Sequence, residues 1–116
     1  MNTLIGYKRC STCKNIEKLL EEKNISYDYR EIDKDLLSID ELKKIKDLAE
    51  VDIFKLFNTY GVRYRELGLK DKKKDMTEEE IFELLSTDGM LVKRPILLTE
   101  GKAFVGPQVK KYLESL

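Results

Sequence analysis

Thr3-Leu4-Ile5-Gly6-Tyr7-Lys8-Arg9-Cys10-Ser11-Thr12-Cys13-Lys14 is the stretch on which the reading of the whole chain turns. Its opening residues, Thr3 to Tyr7, are a short apolar run that ends in polar Lys8-Arg9-Cys10, the pattern of a buried strand emerging into solvent at its carboxyl end. Beyond it, Ile16, Leu19 and Leu20 fall at i, i+3 and i+4 among Lys14, Glu17, Lys18, Glu21 and Glu22, which predicts an amphipathic helix from about Thr12 to Lys23. Asn24 ends that helix, and Ile25 to Ile32 alternates through Tyr27, Asp28, Tyr29 and Arg30 as a second strand. Strand, helix and strand in roughly thirty residues make a βαβ unit, with parallel strands and a right-handed crossover.

Both cysteines of the chain lie in this stretch, at a spacing that two randomly placed cysteines would adopt in only about 2% of cases. The strand-to-helix junction puts Cys10 near unpaired helix N–H groups and the positive end of the macrodipole, which stabilise a thiolate. Lys8, Arg9 and Lys14 add positive charge, and no acidic residue intervenes before Glu17. Cys10 is therefore the candidate nucleophile, and Cys13, one helical turn on, the candidate that resolves a mixed disulfide or sulfenate. Thr12 between them is placed to offer its hydroxyl or backbone N–H to the Cys10 thiolate. Three plainer readings stand beside this one. They are a structural disulfide over a ring too small to restrict the unfolded chain much, a zinc site completed by carboxylates or a second protomer, and two inert buried thiols.

The chain has 116 residues, with 22 Lys+Arg, 22 Asp+Glu and no histidine. Without histidine, a single chain has no Ser/His/Asp triad, no Cys/His protease pair and no histidine-ligated metal. A formal net charge of zero argues against a dedicated nucleic-acid binder. The length suits one domain, residues 1–116, and the mixture of 41% hydrophobic and 38% charged residues suits a soluble globular protein. The longest aliphatic run near the C-terminus, Pro95 to Leu98, is too short for a bilayer, and Lys8 and Arg9 come too early for a signal-peptide core. A cytoplasmic location is expected.

Downstream, Ser38-Ile39-Asp40-Glu41 is a capping box continued by Leu42, Ile45, Leu48 and Ala49. Asp52 to Phe57 reads as a short helical turn, Gly61 to Gly68 as a polar connection, and Lys70 to Lys74 as a solvated loop rather than a docking patch for an acidic partner. Thr77-Glu78-Glu79-Glu80 is a second capping box before Ile81, Leu84 and Leu85. About residues 34–93 are thus helical with loops. Pro95 to Thr99 and Ala103 to Val105 read as a hairpin, and Pro107 opens a final helix with Val109, Tyr112, Leu113 and Leu116 on one face. Arg94-Pro95 is a second place to look: a proline before a strand that joins the βαβ unit is compatible with a cis peptide turned toward the Cys10 loop. Tyr7 reads as a core or rim tyrosine, with contact to a substrate the alternative.

The order βα, β, helices, then a proline-initiated ββα with CxxC at the first strand-to-helix junction resembles the thioredoxin fold. The set Tyr7 to Lys14, Ser38 to Leu42, Phe57-Asn58-Thr59, Tyr64 to Leu69, Arg94-Pro95-Ile96 and Val105-Gly106-Pro107 resembles the arsenate reductase (ArsC) and Spx family of bacterial cytoplasmic proteins. The resemblance implies a glutaredoxin-like four-stranded mixed sheet with an inserted helical region, a cis Pro95 that contacts an extended substrate, and Arg94 beside Cys10 to hold a thiolate or oxyanion. It implies no bound cofactor, an external thiol reductant such as glutathione with glutaredoxin or thioredoxin, a small-thiol or protein-disulfide substrate, and a monomer without direct nucleic-acid or membrane contact. Arsenate reductases of this family use two further arginines, which align here with Asn58 and Gly106, and neither supplies a guanidinium; Arg63 and Arg65 are the nearby substitutes. The Spx branch implies the alternative, a redox-responsive regulator that binds the RNA polymerase α subunit. That branch carries a glycine where Asp52 stands, lacks the Tyr64 to Leu69 pattern and ends in a polar tail.

Overall fold

The computed structural model describes residues 1–116. Strand β1 (Asn2–Gly6) is followed by helix α1 (Ser11–Glu22) and strand β2 (Asp28–Glu31). Helices α2 (Ile39–Ala49), α3 (Val62–Glu66), α4 (Leu69–Lys72) and α5 (Glu78–Thr87) come next, then strands β3 (Ile96–Thr99) and β4 (Lys102–Val105) and helix α6 (Pro107–Glu114). The sheet order is β2-β1-β3-β4, with β1 parallel to β2 and antiparallel to β3, and β3 antiparallel to β4. This is the mixed four-stranded sheet expected from the βαβ and ββα units.

Alternation along β1 divides the core in two. Leu4 and Ile5, both fully buried, point to opposite faces of the sheet. Leu4 meets Ile16 and Leu20 of α1, Val109 and Leu113 of α6, and Leu97. Ile5 belongs to the larger cluster built from Leu42 and Ile45 of α2, Ile81 and Leu85 of α5, and Phe57. The helical insertion thus covers one face while α1 and α6 cover the other, leaving the carboxyl end of β1 free to present Cys10.

Local signals fixed the ends of the long helices. Both capping boxes form: Ser38 Oγ accepts from Glu41 N at 3.1 Å while Glu41 Oε1 accepts from Ser38 N at 2.9 Å, and Thr77 with Glu80 repeats this at 3.1 and 2.8 Å. Three expectations need correction. Strand β2 covers only Asp28–Glu31, not Ile25 to Ile32, because it pairs only with Thr3 through Gly6 of β1. The connection after Gly61 holds two short helices, α3 and α4, drawn inward by burial of Tyr64 and Leu69. The lysine run is likewise helical, continuing from α4 into a 3-10 turn at Lys73–Asp75. Lys73 faces inward, its Nζ 5.1 Å from the ring centroid of Phe54 and 5.4 Å from that of Tyr64, so it is spent on the protein's own aromatic rings.

Arg30 joins the sheet to the insertion. From β2 it donates to Glu41 through Nη1 at 2.6 Å and Nη2 at 3.1 Å, and to the carbonyls of Asp35 and Leu36 at 3.1 and 2.7 Å. Hydrogen bonds from Arg30, with further help from Ser38 and against the opposing effect of burial, hold the Glu41 carboxyl below its ordinary value. A depressed folded-state pKa adds stability above the unfolded value and loses it as pH falls through the folded one. Glu41→Gln will therefore cost about 1 kcal/mol at pH 7, modest because the side chain is 42% exposed. The difference will shrink as the pH falls below 4.5, the carboxyl's ordinary value, which urea unfolding at graded pH will show.

Candidate active site

Cys10 is the N-cap residue of α1, with extended backbone angles (φ −84°, ψ 121°). Its N–H donates to the Tyr7 carbonyl at 2.9 Å and its own carbonyl accepts from Lys14 N at 3.1 Å, so the loop is pinned on both sides of the sulfur. Neither cysteine is in a disulfide; Cys10 is half-exposed and Cys13, one turn inside, is fully buried.

The two thiols are pulled apart in acidity. Partial burial opposes ionisation of Cys10, but the N–H and thiol of Cys13 together with the Arg94 guanidinium outweigh it, and Cys10 titrates below the ordinary cysteine range. Burial pushes Cys13 up to about 12, and its hydrogen bond to Cys10 and the Cys10 charge add to the rise. Cys10 is thus the readier of the two to ionise, and Cys13 the one that holds its proton.

Arg94 is the cation that acts on this pair. It precedes Pro95 through a cis peptide bond, and its guanidinium carbon lies 5.1 Å from the ring centroid of Tyr7. Tyr7, half-buried against the larger core, is therefore a platform for Arg94 at the rim. Arg94 Nη1 is shielded from solvent and has no hydrogen-bond partner, which leaves a buried donor available to an incoming anion or thiolate. Arg94 also lines a cleft of about 590 Å³ between α1 and α6, with Thr12, Asn15, Lys18, Lys93 and Lys110.

Several expected contributors stand elsewhere. Lys8 sits 3.7 Å over the Tyr29 ring and 3.7 Å from Glu17, so its charge is directed to β2 and α1. Thr12 lies in the cleft wall with Arg94, and Cys10 accepts no side-chain capping hydrogen bond at the head of α1. Asn58 is occupied structurally, its Nδ2 donating to the Met90 carbonyl at 3.3 Å and its N–H to the Leu91 carbonyl at 2.8 Å. Gly106 adopts φ 58°, ψ −124°, a backbone that strains any side chain, and a Cβ there would fall 2.9 Å from Lys93 Cε, so the lysine chain would have to move aside. Arg63 is committed to Asp88 at 3.0 Å and Glu66 at 3.5 Å. Asp52 caps the 3-10 turn Ile53–Leu56, accepting from Phe54 N at 2.9 Å.

Sequence reasoning did not single out Tyr29. Its hydroxyl is buried, unpartnered and packed at Gly6 beside Cys13. In the sequence it is one more residue of a strand alternation; the structure sets it opposite Leu4, two residues before the end of β1.

Known proteins fall in line with this geometry. The sequence model of the ArsC family matches residues 5–115. The uncharacterized protein YusI of Bacillus subtilis (strain 168) is 39% identical over 97% of this chain and 96% of its own length. A crystal structure described as a possible arsenate reductase, from Streptococcus mutans UA159, is 37% identical with a TM-score of 0.85, over 93% of this chain and 92% of that one. The global transcriptional regulator Spx of Staphylococcus saprophyticus is 28% identical over 97% of this chain and 87% of its own. With its thioredoxin-like sheet, its cysteine pair at the head of α1 and a family match across nearly its whole length, the chain belongs to the ArsC family.

Proposed function

We propose that this protein is a thiol-disulfide oxidoreductase that works through the Cys10–Cys13 dithiol. The observation that carries the reading is the placement of the two sulfurs, Cys10 partly exposed at the head of α1 and Cys13 buried one turn inside, with the shielded, unpartnered Arg94 Nη1 at the same site. The Cys10 thiolate attacks one sulfur of a disulfide R–S–S–R′, forming a mixed disulfide and expelling R′S⁻, which takes up a proton from solvent. Cys13 then attacks Cys10 Sγ and loses its proton to the second leaving thiolate. The substrate gains two electrons, and the Cys10–Cys13 disulfide left behind is reduced by an external thiol. Arg94 holds the thiolate, and Pro95 presents backbone to an extended substrate. Lys18, Lys93, Lys110 and Arg94 outnumber Glu22 and Glu114 along the cleft, a balance that suits a substrate bearing carboxylates, such as a glutathione mixed disulfide.

Arsenate fits this site poorly. A doubly charged oxyanion has Arg94 but no guanidinium at either of the two aligned positions, because Asn58 is bonded to Met90 and Gly106 has no side chain, and the nearby Arg63 is paired with Asp88. We expect kcat/KM for arsenate to fall at least a hundredfold below that for a glutathione mixed disulfide, the discrimination of about 3 kcal/mol expected from one missing charge-assisted contact. Steady-state assays with both substrates will check it.

The reading is tested by trapping. Cys13→Ser will accumulate a mixed disulfide on Cys10 with substrate, seen as a mass increase removed by reductant. If no adduct forms at Cys10 under conditions that turn over the native protein, the dithiol order is wrong.

The second reading, a redox-switched regulator, is favoured by the 28% identity to Spx across almost the whole chain. Here the Cys10–Cys13 disulfide would change a face that docks the RNA polymerase α subunit's C-terminal domain. Titration of the reduced and oxidised protein with that domain separates the two: redox-dependent binding without turnover favours the regulator.

A further inference from the structure

Only two shielded side-chain polar atoms lack a hydrogen-bond partner, Arg94 Nη1 and Tyr29 Oη, one entering from the lead into β3 and one from β2, the two strands that flank β1. Leaving a buried hydroxyl unpaired is costly, so such groups tend to sit where another state of the molecule satisfies them. The site for Tyr29 is defined by Gly6. A Cβ at Gly6 would lie 2.7 Å from Tyr29 Oη and 3.0 Å from Cys13 Sγ, so the hydroxyl and the sulfur share the space that glycine leaves open. Lys8 Nζ, 3.7 Å over the ring, places a positive charge on the far side of the phenol.

We propose that Tyr29 is a positioning residue for the resolving step, its hydroxyl turning onto Cys13 Sγ as that sulfur surrenders its proton and holding the thiolate on line with Cys10. The inference rests on the dithiol reading above. In the step, the Cys13–H bond breaks, a bond forms between Cys13 Sγ and Cys10 Sγ, and the Cys10–substrate S–S bond breaks. The departing thiolate carries away the electron pair and receives the proton. Tyr29 gains and loses nothing; it donates one hydrogen bond throughout.

The charges around the two groups are consistent with that role. Cys13 is faced by Cys10, by Arg94 and by the Tyr7 N–H, while Cys10 is the side on which Arg94 acts. Tyr29 is faced by Lys8 from the β1–α1 loop, by Cys13, Cys10 and Glu17 from that loop and α1, and by Glu31 from its own strand. Burial first, then the negative charges of Cys13, Glu17, Cys10 and Glu31, raise the phenol well above its ordinary value, so it remains a donor at every pH at which the cysteines react.

Tyr29→Phe keeps the ring and removes only the hydroxyl. With 5,5′-dithiobis(2-nitrobenzoate) as the disulfide, attack by Cys10 releases one coloured thiolate and resolution by Cys13 releases a second, so the two steps appear as separate phases. The expected result is an unchanged first phase, and a second phase slowed about tenfold near neutral pH with its pH profile displaced upward. An unchanged second phase overturns the proposal, as does equal slowing of both. A native protein that releases only one thiolate and forms no Cys10–Cys13 disulfide overturns the dithiol reading itself.

Discussion

Cys10→Ser will lose reductase turnover by about a thousandfold or more, because a serine hydroxyl at this helix start is not ionised at neutral pH and has no base beside it. The chain has no histidine to supply that base. The effect is chemical rather than structural: Cys10 is half-exposed, its backbone bonds to Tyr7 and Lys14 do not involve the sulfur, and serine is a good N-cap. The unfolding midpoint of Cys10→Ser will therefore match or exceed that of the native protein while activity disappears. A variant that kept turnover would assign the reaction to another group.

Arg94→Met will slow mixed-disulfide formation at pH 7 by about tenfold, because loss of the guanidinium raises the Cys10 thiol and leaves less of it ionised. With the guanidinium gone, the burial that opposes ionisation of Cys10 is countered only by the N–H and thiol of Cys13. Methionine fills similar space against the Tyr7 ring, so the loss is of charge and of the unpartnered Nη1 donor more than of packing. Arg94→Lys will fall between the two, since an ammonium keeps the charge without the planar fork that lies over Tyr7. Stopped-flow alkylation across pH reads the shift directly, and a KM increase for carboxylate-bearing disulfides will accompany it.

The elements that a sequence shows best are those decided by neighbours along the chain. The βαβ unit, both capping boxes, the Pro107 helix start and the cysteine pair at a helix head were legible because each depends on residues within about four positions. So was the place of Arg94, once resemblance supplied the sheet order that brings β3 beside β1. Helices α3 and α4 were not legible: they are four or five residues long, below the length at which periodicity carries information, and are held by burial of Tyr64 and Leu69 in a distant core. The cationic cluster was over-read for a similar reason. Lys8 and Arg94 look equivalent when only proximity to cysteine in the sequence or fold is considered, yet Lys8 turns toward Tyr29 and Glu17. Tyr29 itself sits in an ordinary strand alternation, and only the crossover of α1 above Gly6 brings its hydroxyl to Cys13.

The central claim is that Cys10 and Cys13 are chemically unequal, and graded-pH alkylation of the reduced protein with mass analysis tests it most directly. The account predicts that Cys10 is modified first, with half-maximal reactivity at a pH below that of a free cysteine measured alongside, while Cys13 stays unmodified throughout that range. Parallel modification of both cysteines, or a Cys10 that titrates at or above that value, would contradict it.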